Sequence, residues 1–419
     1  MSAVQARTDF FRRFSFRWVP NAKQWQAQPI EETDNYCLAV IEFDDQGWFQ
    51  DVCQRDALEQ FLDNQNKDLL IVVFIHGWKH NAEADDTSLQ SFRSVLRESC
   101  LSERNRLGRQ ILGVYLSWRG LSLSGLCENA SFYSRKKAAS KVALGCVREI
   151  LARLRAFQIA RNQSNDVEGP DVGTRLIFLG HSFGGLILFT AVSEYLIESV
   201  ILCICTGKHI VRPFGDLIIL INPAFEAARY LPLYSAVRRA HYPENQRPCF
   251  LAVTSANDDA TKYWFPIGRR LNSLFESVRQ NALPWDGKGR MPPADAEKQA
   301  ILNTMGHLDW LTTHCLSCEK TEELPYQAYK GKGPPDWKKE RQAFDEFNRE
   351  YRPDGHLREK WKRTYTSGAV LKHVGGDPDN PFWTIRADST VVEGHNGICR
   401  PVFMDFLRQV CDDRLQPIA

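Results

Sequence analysis

Leu69-Leu70-Ile71-Val72-Val73-Phe74-Ile75 is an unbroken apolar run, rich in β-branched residues, that stops abruptly at His76-Gly77. An extended segment of this kind has no polar side to turn toward water, so it must be covered on both faces. A sheet with helices on both sides offers that cover, and the run therefore points to an α/β fold. Comparable strand-like segments recur at Tyr36 to Phe43, Ile111 to Trp118, Arg175 to Leu179, Asp216 to Ile221 and Phe250 to Thr254. Helical patterns lie between them, at about Cys53 to Leu62, Ser88 to Ser99, Ser134 to Ile159 and Gly185 to Val200. This alternation predicts a doubly wound, mostly parallel sheet.

The pattern changes after the Phe250 segment. From Ala260 to Asp379 strand signal is scarce and Trp, Pro, Lys and Arg are common, with helices expected near Arg269 to Arg279 and Lys339 to Glu350. Strand character returns at Phe382 to Ile385 and Thr390 to Val392, and a helix from about Val402 to Val410 follows. The expected organisation is an N-terminal extension over 1–35 and a first part of the core over 36–259. A large insertion, 260–379, then separates the last two strands, and 380–419 carries the last strand and helix. The insertion is expected to act as a lid or cover, with its segment Tyr263 to Pro266 lining a pocket that leads to Ser182. Trp310 and Trp337 could add to an apolar wall.

Composition narrows the partners. The chain has 419 residues, 43% hydrophobic and 25% charged, which is the balance of a globular protein rather than a disordered one. A net charge of +2 argues against nucleic acid as a partner. The basic runs Ser134 to Lys137 and Arg358 to Arg363 read as solvated helix faces, which leaves peripheral contact with a membrane open. Asp9, Arg12 and Arg13 interrupt any signal-peptide core near the start, and no transmembrane segment of roughly 18 uncharged apolar residues is found. The expected location is cytoplasmic. The 12 cysteines are scattered and fit free thiols. His307, His314, Cys315 and Cys318 form the one cluster with metal-ligand spacing, but a second well-spaced ligand pair is lacking, so neither metal nor cofactor is expected. Oligomeric state is not legible.

Chemistry concentrates at Gly180-His181-Ser182-Phe183-Gly184-Gly185, between an apolar strand and an apolar helix. A strand-to-helix turn sharp enough to push a hydroxyl out of the sheet strains the serine backbone and demands small neighbours. The helix that follows aims its first amides at the reacting centre, where negative charge would develop. Ser182 is thus the candidate nucleophile. His76-Gly77-Trp78 follows the buried strand, where a loop can supply one oxyanion-hole amide. The backbone amide of Trp78 is the candidate there and that of Phe183 the second. His76 itself reads as a packed structural residue. The acid and base should follow the serine in chain order. Asp258, after the Phe250 strand, is the candidate acid, ahead of Asp259 and then Glu226. His395, in Glu393-Gly394-His395-Asn396-Gly397 before the last helix, is the candidate base, with His373 as the alternative.

With those residues in place, the chain resembles the α/β-hydrolase superfamily over about Tyr36 to Ala260 and from Phe382 onward. More narrowly, His76-Gly77-Trp78-Lys79-His80-Asn81-Ala82, Gly180 to Gly185 and Gly394-His395-Asn396 resemble a group of microbial α/β hydrolases. The resemblance implies a cofactor-free serine hydrolase that forms an acyl-enzyme. A carboxylic ester, a lipid included, is the expected substrate. Amidase, peptidase or thioesterase activity on the same residues is the second reading, and a binding protein on a hydrolase fold the third. Fold alone does not choose among them.

Overall fold

The computed structural model describes residues 30–104, 108–120, 128–164, 173–207, 210–243, 246–266, 290–318 and 337–415. Most of the expected N-terminal extension, the expected helix at Arg269 to Arg279 and the side chains of Tyr263, Trp264 and Trp337 lie outside them.

Eleven strands among the described residues form one sheet. In chain order they are β1 Ile30–Glu32, β2 Cys37–Phe43, β3 Leu69–Ile75, β4 Gln110–Trp118, β5 Arg175–His181, β6 Leu217–Ile221, β7 Phe250–Ser255, β8 His314–Cys318, β9 Lys362–Thr364, β10 Ala369–His373 and β11 Phe382–Ala387. Their spatial order is β1-β2-β4-β3-β5-β6-β7-β11-β8-β10-β9. The stretch from β2 to β8 is parallel throughout, while β1, β10 and β9 pair antiparallel at the two margins.

Side-chain alternation divides the apolar strands between two cores. Ile71, Val73 and Ile75 face one layer, with Phe178, Leu220 and Phe250, covered by the helices Val52–Asp63, Val147–Ser164 and Phe183–Thr206. Leu70, Val72 and Phe74 face the other, with Tyr115, Ile219 and Val253, covered by the helices Thr87–Arg104 and Pro401–Leu415. This two-sided burial is what the unbroken run at Leu69 to Ile75 requires.

Four local differences from the sequence pattern have physical causes. The stretch 260–379 is not poor in strands: β8, β9 and β10 come from it and extend the sheet beyond β11. Thr390 to Val392 is not a strand; Val391 and Val392 are fully buried in a turn, so their apolar character serves packing rather than pairing. The helical stretch expected from Ser134 to Ile159 is two helices, Glu128–Leu144 and Val147–Ser164, broken where the Cys146 amide donates to the Gly47 carbonyl at 2.7 Å. Ile30 to Glu32, read as part of an extension, pairs with β2.

The helix Phe183–Thr206 is long and apolar enough to cross a membrane by length and composition. In this fold it packs on the sheet and against the helices Glu128–Leu144 and Leu231–Arg239, and residues such as Leu186, Phe189 and Leu196 are buried there. The chain leaves β3 toward β4 and leaves β5 toward β6, in opposite directions, by way of helices on opposite faces. The carboxyl ends of β3 and β5 therefore meet at the point of the sheet where open α/β folds characteristically bind ligands.

Candidate active site

At this point of the sheet His76-Gly77-Trp78 after β3 and Ser182 after β5 are brought side by side because Ile75 pairs with Gly180 in register. The approach is so close that a Cβ on Gly77 would lie 2.8 Å from the Ser182 Cβ. Ser182 has φ 54° and ψ −118°, a conformation that strains any residue with a side chain. Surrounding bonds hold it there. Its amide donates to the Ile221 carbonyl at 2.9 Å, and its carbonyl accepts from Gly185 and Ala224 at 3.0 and 3.2 Å. Such over-determination is how a folded protein keeps a strained residue. The next helix starts pressed onto the end of β3: a Cβ on Gly184 would come within 2.0 Å of the Ile75 carbonyl oxygen.

The Ser182 hydroxyl meets His395 Nε2 at 2.8 Å, and His395 Nδ1 meets Asp258 Oδ2 at 2.8 Å. A buried carboxylate accepts only, so Nδ1 carries the proton and Nε2 is left to accept from the serine. Asp258 is fully buried. Burial raises its pKa, but hydrogen bonds from His395 and Thr261 and the imidazole's proximity outweigh burial, holding the carboxyl below its ordinary value. The alternatives lie elsewhere. Asp259 is exposed. Glu226 is ion-paired with Lys136 and with Arg229. His373 sits in β10, its ring parallel to that of Trp361 at 6.0 Å.

His76 is fully buried and receives the Trp118 amide on Nε2 at 3.2 Å, so its Nδ1 proton donates to the Gly77 carbonyl at 2.9 Å. Burial lowers its pKa to about 4, and it remains a neutral brace for the loop. Phe183 is the first residue of its helix, and helix geometry leaves such an amide without an intrahelical acceptor. The rings around the two candidate amides pack into the core, where Phe183 and Trp118 are buried and Trp78 and Phe132 half-buried. The Trp78 ring meets Phe132 edge-on at 5.4 Å, Phe132 lies 4.9 Å from Phe183, and Phe183 lies 6.3 Å from Trp118.

Two residues that sequence reasoning passed over hold His395 in place. Its carbonyl accepts from His181 Nε2 at 3.0 Å and from Asn222 Nδ2 at 2.8 Å. Asn222, at φ 45°, also accepts the Ser255 amide at 2.9 Å, which ties β6, β7 and the His395 loop together. Burial, then the neighbouring His395, push the His181 pKa down to about 3, so it donates as a neutral ring. The only sequence signal for Asn222 is a strand-ending Asn-Pro, which many turns share.

The metal-spaced cluster is dispersed. His307 bonds to Thr261 at 2.8 Å, and His314 is packed among Trp361, His373 and Trp383. Cys315 alternates with His314 to the other face of β8. Among the described residues, no three His, Cys, Asp or Glu side chains are grouped to hold a metal ion.

A family described as the alpha/beta hydrolase family matches residues 72–398, a span that takes in Ser182, Asp258 and His395. No curated protein matches the chain.

Proposed function

The chain belongs to the alpha/beta hydrolase family, and from that premise we propose that it is a serine hydrolase of carboxylic esters, lipid esters included, working through an acyl-enzyme. The observation that carries this reading is the unbroken chain from Ser182 Oγ to His395 to Asp258, each link 2.8 Å, at a strained turn where the next helix begins.

In the first step Ser182 Oγ bonds to the ester carbonyl carbon while its proton passes to His395 Nε2. Asp258 holds the other imidazole nitrogen protonated and stabilises the cation that forms. The amides of Phe183 and Trp78 receive the oxyanion. Collapse of the tetrahedral adduct expels the alkoxide, which takes the proton from His395 and leaves as alcohol. Water then repeats the sequence against the acyl-serine and releases the acid. The half-buried rings of Trp78, on the loop that follows β3, and Phe132, packed edge-on at 5.4 Å, support an apolar acyl or alcohol group.

A fluorophosphonate probe and p-nitrophenyl esters of increasing chain length test the reading. The full chain should label at Ser182 and hydrolyse at least the short esters. Ser182→Ala should lose labelling and about 10³-fold or more in turnover. A Ser182→Ala protein within about tenfold of wild type would refute the assignment.

A further inference from the structure

We propose that Thr261 and His307 extend the Ser182–His395–Asp258 chain as positioning residues, setting the orientation and the charge distribution of the buried carboxylate. The inference rests on the serine-hydrolase reading above.

Asp258 Oδ2 takes two donors at once: His395 Nδ1 at 2.8 Å and the Thr261 hydroxyl at 2.6 Å. Oδ1 accepts the Thr261 amide at 3.1 Å. The amide contact is what an aspartate at a helix start makes in any case. The hydroxyl is surplus to capping, and so is what lies behind it. His307 Nε2 stands 2.8 Å from the same Thr261 oxygen. A hydroxyl has one proton, and here the carboxylate receives it. His307 must therefore donate its own N–H to the Thr261 oxygen. Donation runs inward, from His307 to Thr261 to Asp258, and each bond polarises the next.

The far end of this chain is built rigidly. His307 closes the turn Met305–His307, whose Gly306 is wedged against β7, so that a Cβ there would fall 1.9 Å from Thr254 Oγ1. Arg386 of β11 donates to the Gly306 carbonyl at 3.2 and 3.1 Å. The imidazole is thus indexed to the strand that precedes Asp258 and to the strand that precedes His395. Thr261 and His307 both belong to the stretch after β7.

Two hydrogen bonds on one oxygen leave less negative charge facing His395. Removing the hydroxyl concentrates charge on that oxygen, favours the imidazolium at rest, and denies Ser182 its base at a higher pH. The ionisable groups facing this chain are the His181 ring 5.1 Å from that of His395, and Arg386 and Lys262 on the His307 side, with Asp309 bound to Arg386. The variants below leave all of them unchanged.

The test follows the rate of fluorophosphonate labelling against pH in the full chain, together with NMR titration of the His395 ring in a Ser182→Ala background. Thr261→Val should raise the midpoint of the acid limb by about half a pH unit and lower the plateau about tenfold. Thr261→Ser should restore both. His307→Leu should shift the midpoint the same way by less, and His307→Gln, whose amide still donates, should return it. If Thr261→Val and His307→Leu slow labelling without moving either midpoint, the residues only pack and the inference is overturned. If wild type fails to label while the His395 titration still moves as stated, the hydrogen-bond chain stands and the hydrolase reading falls.

Discussion

Asp258→Asn changes one atom and leaves no good arrangement for the amide. In the wild-type protein Oδ2 accepts from His395 and from the Thr261 hydroxyl, while Oδ1 accepts from the Thr261 amide. If the asparagine oxygen takes the Oδ2 place, its NH2 faces the Thr261 N–H, donor against donor, in a site with no solvent exposure. An unmade bond of that kind costs about 1–3 kcal/mol. If the amide is flipped, its NH2 faces His395 and forces the imidazole proton onto Nε2, where it blocks proton transfer from Ser182. A wrong tautomer of this sort costs about 10⁴-fold in turnover, or about 5 kcal/mol of barrier. The expected result is a loss of about 10³- to 10⁴-fold in kcat/KM on a p-nitrophenyl ester, with the thermal transition lowered but cooperative. Asp259→Asn, at an exposed neighbour, should stay within about twofold. The reasoning is refuted if Asp258→Asn retains more than about a tenth of wild-type kcat/KM, or if the two variants lose activity equally.

Gly184→Ala would place a methyl 2.0 Å from the Ile75 carbonyl oxygen and 2.7 Å from that of His76, both backbone atoms that cannot swing away. It should cost about 3 kcal/mol or more in a denaturant titration, and a cost under about 1 kcal/mol would mean that the helix moves freely off β3. Acid sensitivity follows from histidines buried neutral: burial lowers His76 and His307 to about 4 and His181 to about 3, and pushes His314 well down. Because the unfolded chain protonates first, near pH 6.5, their contribution is full above that value and is lost as pH falls toward the folded-state values, at about 1.4 kcal/mol per pH unit for each ring. Urea midpoints should therefore drop steeply between pH 7 and pH 5, and a flat profile would contradict neutral burial of these rings.

The parts of the fold legible in the sequence were those where a single segment carries its own signal. β3 and β5 are apolar on both sides, and the Gly-rich turn after β5 follows from local sterics. Ser182, Asp258 and His395, named from chain order and loop position, are the residues the structure links by hydrogen bonds. What was not legible depends on distant partners. β8, His314–Cys318, and β9, Lys362–Thr364, are short and partly polar, and become strands only because β11 and β10 offer them edges. Asn222 and His181 look like ordinary turn residues until the His395 carbonyl arrives between them. Thr261 has an unremarkable sequence setting and His307 stood out only for its spacing to His314 and Cys315, whereas the two meet at a single shared oxygen.

β11 is next to last in space on the parallel side but is made late, and it lies between β7 and β8. A growing chain therefore completes β7 and the β8-β10-β9 unit before the strand that joins them has left the ribosome. Until residue 387 emerges, β7 and β8 each keep an open edge of unpaired amides and carbonyls, the kind of edge that recruits another chain. Closing it joins segments far apart in sequence, and such pairings form slowly. His395 follows eight residues after β11, so its hydrogen bond to Ser182 also waits for this last closure of the sheet.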